Sequence, residues 1–289
     1  MSFTRRDFCA FLGTAGLASL INATRGDQPV ASGPRVIAYN VYAFDGWPKD
    51  RPLAIRAKRL GQMPTRVAQD LALYQPDIIN FSESPAQQQA EEVAKRLGMH
   101  HVRFPSGKNW PGTILSRYEI VESAGAPIVG GKRSEDLFTR HWGRATLKLS
   151  DDENLVVHSA HLMPGPDPAV RLRETTEMLR SMAQDIEANR SMLLIGDLNH
   201  TPDSEEYRMW IDAGWVDTFT AVGKGEGLTI PANVPTHRID YILARGPIAK
   251  RIVEGRPLFE GAFRLNDQDP HGFALSDHLP QFAVFGEKE

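Results

Sequence analysis

Carboxylates, amides and histidines stand where the apolar runs of this sequence stop. The run at 192–195 leads into Gly-Asp-Leu-Asn, which puts Asp197 and Asn199 just past a buried strand. Asn40 closes Arg-Val-Ile-Ala-Tyr-Asn, Glu83 follows Ile-Ile-Asn-Phe-Ser, and His161 ends Val-Val-His-Ser-Ala-His. Asp240 lies inside Arg-Ile-Asp-Tyr-Ile-Leu, and Asp277-His278 come just before the last apolar run. Alone, each has a plain reading: Asn40 as a turn former, Glu83 as a charge against a helix dipole, Asp240 as a satisfied structural carboxylate. Together they are oxygen donors and imidazoles of the kind that hold hard cations and work on phosphate groups. A carboxylate in Ile-Asp-Tyr-Ile is costly unless paired, and His278 is a suitable partner for Asp240.

The elements that must position these residues follow from periodicity. Short β-type runs at 35–41, 77–81, 155–160, 192–195, 239–244 and 281–285 alternate with amphipathic segments and Pro/Gly-rich loops. Shorter candidates lie at 113–115 and 145–149. This alternation predicts an α/β layered domain. Ser84-Pro85-Ala86-Gln87 offers an N-cap, a first-turn proline and a capping-box glutamine, with Gly98 closing that helix. Val67, Leu71 and Tyr74 form one apolar stripe; Leu172, Leu179, Met182 and Ile186 form another. Both read as core packing. No internal repeat or domain-sized linker interrupts the chain after residue 34.

Composition narrows the class further. With 41% apolar and 24% charged residues among 289, the chain matches a soluble globular protein. A net charge of −3 excludes a surface dominated by a nucleic-acid footprint, though not a local basic groove. Cys9 is the one cysteine, which excludes a disulfide framework and a thiolate zinc site. Near the start, Thr-Arg-Arg-Asp-Phe precedes an apolar, small-residue run at 8–21, too short to span a bilayer and suited to a signal-peptide core. It resembles a twin-arginine export signal, with Cys9 where leucine is usual. The expected organisation is a signal peptide at 1–23, a linker at 24–33 and one domain at 34–286, exported to the periplasm or beyond.

Seven fragments, in chain order, carry a specific resemblance. They are Tyr-Asn at 39–40, Pro-Asp-Ile-Ile-Asn-Phe-Ser-Glu at 76–83, Gly-Thr-Ile-Leu-Ser-Arg at 112–117 and His-Leu at 161–162. Gly-Asp-Leu-Asn at 196–199, Arg-Ile-Asp-Tyr-Ile at 238–242 and Ser-Asp-His-Leu-Pro at 276–280 complete the set. Together they resemble the endonuclease/exonuclease/phosphatase (DNase I-like) superfamily over residues 35–285. The resemblance implies an α/β four-layer sandwich of two packed mixed β-sheets flanked by helices, with an active site at one edge. It implies a divalent cation, Mg²⁺ or else Mn²⁺, on Glu83, with Asn40 and Asp277 as the nearest assisting ligands. Asp197 would orient or deprotonate the attacking water, and Asn199 would hold the phosphate or a second metal position. His161 would be general acid or phosphate clamp on the opposite side. His278 would contact a phosphate oxygen or act as base, with Asp240 fixing its tautomer.

Arg144, Arg171 and Arg238 lie near these motifs and could touch phosphate, although a solvated helix face accounts for Arg171 nearly as well. His158 falls on the opposite face of its strand and reads as structural. The neighbours His100 and His101 face opposite sides of an extended segment, with no third ligand at helical spacing. Ser82 stands where many relatives carry glutamine, and no tryptophan precedes Gly196-Asp197 as in inositol polyphosphate phosphatases. The segment after Asn40 lacks the Trp-Asn-x-Asn-Gly of abasic-site endonucleases. Substrate choice is left to loops at 45–62, 130–144 and 264–273. The expected function is an exported, metal-dependent phosphoesterase that hydrolyses a phosphodiester or phosphomonoester by in-line attack of an activated water. The alternative is a catalytically silent relative that binds a phosphorylated ligand. The expected partner is a phosphate-ester substrate (nucleic acid, phospholipid headgroup or small phosphodiester), with a monomeric chain and no obligate protein partner.

Overall fold

The long apolar runs are buried on both faces, so they lie inside a layered stack and not on its surface. The computed structural model describes residues 33–128, 130 and 133–287; the predicted signal at 1–23 and the linker up to residue 32 lie outside them. In chain order the first half runs β1 (Arg35–Asn40), α1 (Pro52–Arg59), α2 (Met63–Ala72), β2 (Ile78–Ser82), α3 (Gln87–Leu97), β3 (His100–Phe104), β4 (Gly112–Ser116) and β5 (Glu119–Gly125). Next come β6 (His141–Ser150), β7 (Glu153–His161), α4 (Ala169–Glu187), β8 (Met192–Asp197) and α5 (Glu205–Asp212). The last part is β9 (Val216–Asp217), α6 (Thr218–Val222), β10 (Asp240–Arg245), β11 (Ile252–Pro257) and β12 (Gln281–Phe285).

The twelve strands form two six-stranded sheets, ordered β11-β12-β1-β2-β4-β3 and β5-β6-β7-β8-β10-β9. Each is built on one parallel pair, β1 with β2 and β7 with β8, and the remaining pairings are antiparallel. A parallel pair needs a crossover, supplied by α1 and α2 in the first sheet and by α4 in the second. Alternation along the strands then sorts side chains into three cores. Val36, Ala38, Ile78, Val157, Leu193, Ile195 and Ile242 meet between the sheets. Ile37 and Tyr39 turn outward onto Val67, Leu71, Val93 and Leu97 of α2 and α3. Leu194, Tyr241 and Leu243 turn outward onto Met178, Met182 and Trp210 of α4 and α5. The result is the expected α/β four-layer sandwich.

Differences from expectation have local causes. β5, β9 and β11 had no predicted counterpart and β3 only the extended pair His100-His101; these are the four sheet edges, where exposure on both faces of strands such as β5 removes the apolar period. Ser84 does not cap α3, whose flanking residue is Ala86; its hydroxyl instead meets Thr113 Oγ1 at 2.7 Å in a buried pair. Gly98 does close that helix, with φ +66°. On α4, Leu179, Met182 and Ile186 pack as the stripe predicts. Leu172 stays half-buried, and the polar Arg171, Glu174 and Thr175 take fully buried places beside Met178. They are buried because loops dock on them: Glu174 accepts the backbone N–H groups of Phe138 at 2.6 Å and Met163 at 2.9 Å. Among the described residues no helix is long and apolar enough to cross a membrane.

Candidate active site

The site arises where the inter-sheet core turns from apolar to polar. Side chains facing the opposite sheet recur every second residue, so Val36 and Ala38 lead to Asn40, and Ile78 leads to Asn80 and Ser82. By the same parity, Leu155 and Val157 lead to Ser159 and His161, and Leu193 and Ile195 lead to Asp197. Register brings these ends together: His161 pairs with Asp197 across the parallel β7–β8 ladder, and Asp240 opposes Asp197 across the antiparallel β8–β10 ladder. β12 runs antiparallel to β1, so the turn before it returns to the end of β1, where the Ser276 hydroxyl donates to Asn40 O at 2.7 Å.

Asp197 is the hub. One carboxylate oxygen accepts from Asn40 Nδ2 at 3.0 Å and lies 3.5 Å from His161 Nε2 and 3.8 Å from His278 Nε2. The other accepts the Asn199 N–H at 3.1 Å. His278 Nδ1 donates to Asp240 Oδ2 at 2.8 Å, which fixes the ring's orientation and aims Nε2 at Asp197. Burial, with Asp240 adding to it, pushes the Asp197 carboxyl up to about 7. Burial alone would lower His278, but Asp240, Asp197 and Asp277 outweigh it and raise the imidazole to about 10, keeping it charged. His161 goes the other way: burial, then the fields of His141 and Arg140, hold it well below its ordinary value, and its Nδ1 has no partner.

Glu83 forms the second half of the site. Its carboxylate meets Arg140 at 3.3 Å, and that guanidinium lies 4.2 Å from the ring centre of Trp110. Burial raises the Glu83 carboxyl, Arg140 opposes the rise, and the nearby Asp277 adds to it. Tyr42, Ala43, Phe44, Glu83 and Asn199 all have positive φ without being glycine. Each such residue costs on the order of 1–3 kcal/mol, and this cluster borders the site, where the sandwich holds the backbone in place.

A divalent cation suits one part of this constellation. Glu83, Asn40 and Asp277 offer two carboxylates and an amide oxygen, a hard donor set faced by two cations, Arg140 and the charged His278. Asp197, Asp240 and His278 also offer ligand atoms within 4.8 Å of one another. There the 2.8 Å His278–Asp240 hydrogen bond already occupies the imidazole Nδ1 and one Asp240 oxygen, so the triad has an internal use for its groups.

Eight predicted residues thus converge, and three do not. Arg144 lies on the outward face of β6, paired with Glu122 at 2.9 Å and Asp185 at 3.5 Å. Arg171 is buried against Glu206 at 2.8 Å and the carbonyls of Met163 and Gly165. Arg238 is buried in an ion pair with Asp217 and lies over the rings of Phe219 and Tyr241. Their donors serve the fold, which corrects the expectation that they reach phosphate. His158 is buried against Trp142, as a structural role requires.

Sequence reading missed Arg140, His141 and Tyr42. His141 continues the inward parity of Ala145 and Leu147; it bonds Ser159 Oγ at 2.9 Å and packs edge-on against His161. Burial lowers it to about 3, so it stays neutral. Gly112 makes room for it, because a Cβ there would lie 2.1 Å from His141 Nε2. Extending the β6 period by two steps would have found His141. Arg140 sits in a loop and Tyr42 in a single 3-10 turn, neither with a period to extend.

Two mixed sheets packed face to face, with carboxylates and histidines converging at one edge, define a phosphoesterase or nuclease type of fold. The chain belongs to the Endonuclease/Exonuclease/phosphatase family, whose pattern matches residues 37–278. Solved structures of the same fold include an endonuclease/exonuclease/phosphatase family protein from Bacteroides thetaiotaomicron, with TM-score 0.67 and 16% identity over 87% of this chain and 96% of that one. Truncated TDP2 from Caenorhabditis elegans has TM-score 0.64 and 15% identity over 88% and 98% of the two chains. An AP endonuclease from Archaeoglobus fulgidus has TM-score 0.62 and 20% identity over 87% and 99%. Among curated proteins none matches the sequence.

Proposed function

We propose that this protein is an exported, divalent-metal-dependent phosphoesterase that cleaves a phosphodiester or phosphomonoester by in-line attack of water. The observation that carries the reading is Asp197, a buried carboxylate held between His161 and the Asp240-anchored His278. An aspartate raised to about 7 is basic enough to orient and deprotonate water near neutral pH. The charged His278 donates from Nε2 to a phosphoryl oxygen and stabilises the charge that grows there. His161, neutral, acts as a hydrogen-bond clamp on the phosphate. Asn199, in a left-handed turn and tied to Leu162 O at 3.0 Å, holds the Asp197 carboxylate through its own N–H. Arg140 is placed to move from Glu83 to phosphate.

Glu83 would hold the cation, with Asn40 and Asp277 assisting; when bound, Mg²⁺ or Mn²⁺ neutralises charge on the phosphoryl oxygens. The Arg5-Arg6 segment supports export to the periplasm or beyond, where the enzyme would act as a monomer. The test is hydrolysis of bis-p-nitrophenyl phosphate with Mg²⁺ or Mn²⁺, before and after chelation. Turnover that chelation abolishes and the cation restores is the expected result. Activity that survives exhaustive chelation overturns the metal assignment, and no turnover with either ion favours the silent-binder alternative.

A further inference from the structure

The segment 45–62 contains a helix that the sandwich hardly uses. Of α1 only Ala54 and Ala57 are buried, and their small side chains give the helix a shallow seat. Ten large apolar side chains are exposed in the described residues, and Leu53, Ile55 and Leu60 fall within eight positions of one another. Leu53 and the C-cap residue Leu60, seven apart, share one side of the helix, while Ile55 faces another. Around them the chain is strongly basic: residues 49–66 hold six lysines and arginines against Asp50 alone, in a chain of net charge −3. Among the described residues Lys58 pairs with Asp45, while Lys49, Arg56 and Arg59 meet no carboxylate. Lys49, Ile55, Lys58 and Arg59, with Asp45, line a cleft of about 430 Å³.

We infer that α1 is a docking element for an anionic membrane surface. Unpaired cations draw the helix to acidic headgroups, and Leu53 and Leu60 enter the headgroup–acyl boundary. The same cations would also suit a nucleic acid, but the exposed Leu53 and Leu60 have no partner along a sugar–phosphate backbone, and α1 exposes no aromatic ring for a base to stack on. The helix springs from the site's own edge. Just before α1, Trp47 exchanges two 2.8 Å backbone hydrogen bonds with Ala274, three residues short of Asp277. The segment leading into α1 is therefore tied to the turn that goes on to Asp277 and His278. Resting on the proposed phosphoesterase chemistry, this narrows the substrate to a phosphodiester presented in a phospholipid headgroup.

The experiment compares the full chain with Leu53→Ser/Leu60→Ser and Arg56→Glu/Arg59→Glu. Each is sedimented with vesicles of phosphatidylcholine alone and of phosphatidylcholine mixed with phosphatidylglycerol. The parent should bind the mixed vesicles preferentially, each double variant should bind them about tenfold or more weakly, and headgroup release should fall in step. Hydrolysis of soluble bis-p-nitrophenyl phosphate should be equal in all three. Equal vesicle binding by all three proteins, or by the parent to both kinds of vesicle, overturns the inference. So does loss confined to the arginine variant and matched on duplex DNA, which would assign α1 to nucleic acid. Vesicle binding without any bis-p-nitrophenyl phosphate turnover would sink the phosphoesterase reading and leave the docking surface standing.

Discussion

A side chain that takes a proton from water near neutral pH has to be more basic than a free aspartate, and a side chain that steadies a phosphate has to stay charged. Asp197 and His278 meet these opposite demands within 3.8 Å of each other because their surroundings differ. Burial raises Asp197, while Asp240 at 2.8 Å keeps His278 protonated despite burial. Asp197→Ala and His278→Ala should each lower kcat by roughly 10²–10⁴-fold with the far-ultraviolet circular dichroism unchanged. Wild-type turnover in either variant would remove that residue from the mechanism. Asp197, Asn199 and His278 could be read from their motifs. Arg140 could not, since a polar loop carries no pattern to say that its guanidinium meets Glu83.

At the scale of elements, α4 fixes the two strands that bear the site histidines. Glu174 accepts N–H groups from Phe138, ahead of β6, and from Met163, after β7, so it ties His141 and His161 to one helix. Burial raises its carboxyl from 4.5 to about 7. Below 4.5 the folded and unfolded chains both hold the proton, and this group contributes no pH dependence. Between 4.5 and about 7 only the folded chain holds it, so rising pH withdraws stability. The loss, on the order of 3 kcal/mol, is complete above the folded pKa. Denaturant melts of the wild type and Glu174→Gln at about pH 4 and about pH 8 should therefore draw apart by that amount, with the wild type losing more as pH rises. Parallel stability curves would show that Glu174 titrates normally. Sequence periodicity placed α4 but misjudged its buried face, because the polar residues there are satisfied by loops distant in sequence.

For the whole molecule, cation binding is a linkage to folding. If Glu83 is the principal ligand, Mg²⁺ or Mn²⁺ at a hundredfold excess over Kd should add about 2.7 kcal/mol to stability and raise Tm by several degrees. Glu83→Gln should lose most of that shift, and because the carboxylate is only 12% exposed and paired with Arg140, the variant should also lose on the order of 1–3 kcal/mol of metal-free stability. An unchanged shift in the variant would place the cation elsewhere, with the Asp197–Asp240–His278 group as the next candidate. Export belongs to this scale as well. Replacing Arg5-Arg6 by two lysines should retain the protein in the cytoplasm, as fractionation would reveal, and normal export would refute the twin-arginine reading.

The sequence by itself determined the layers and the inward-facing set. Successive side chains of a strand alternate between its faces, and Asn40, His161 and Asp197 continue the inter-sheet set to the strand ends. It left the edge strands unread because exposure removes the period, and it left Arg144, Arg171 and Arg238 open because a charge in a motif says nothing of its partner. Tertiary structure decided those partners. The contacts that make the site, Asn40 with Asp197 across 157 residues and Ser276 with Asn40 across 236, depend on which strand ends the two sheets bring together. No local pattern encodes that juxtaposition, because it follows from the register of strands distant in the chain.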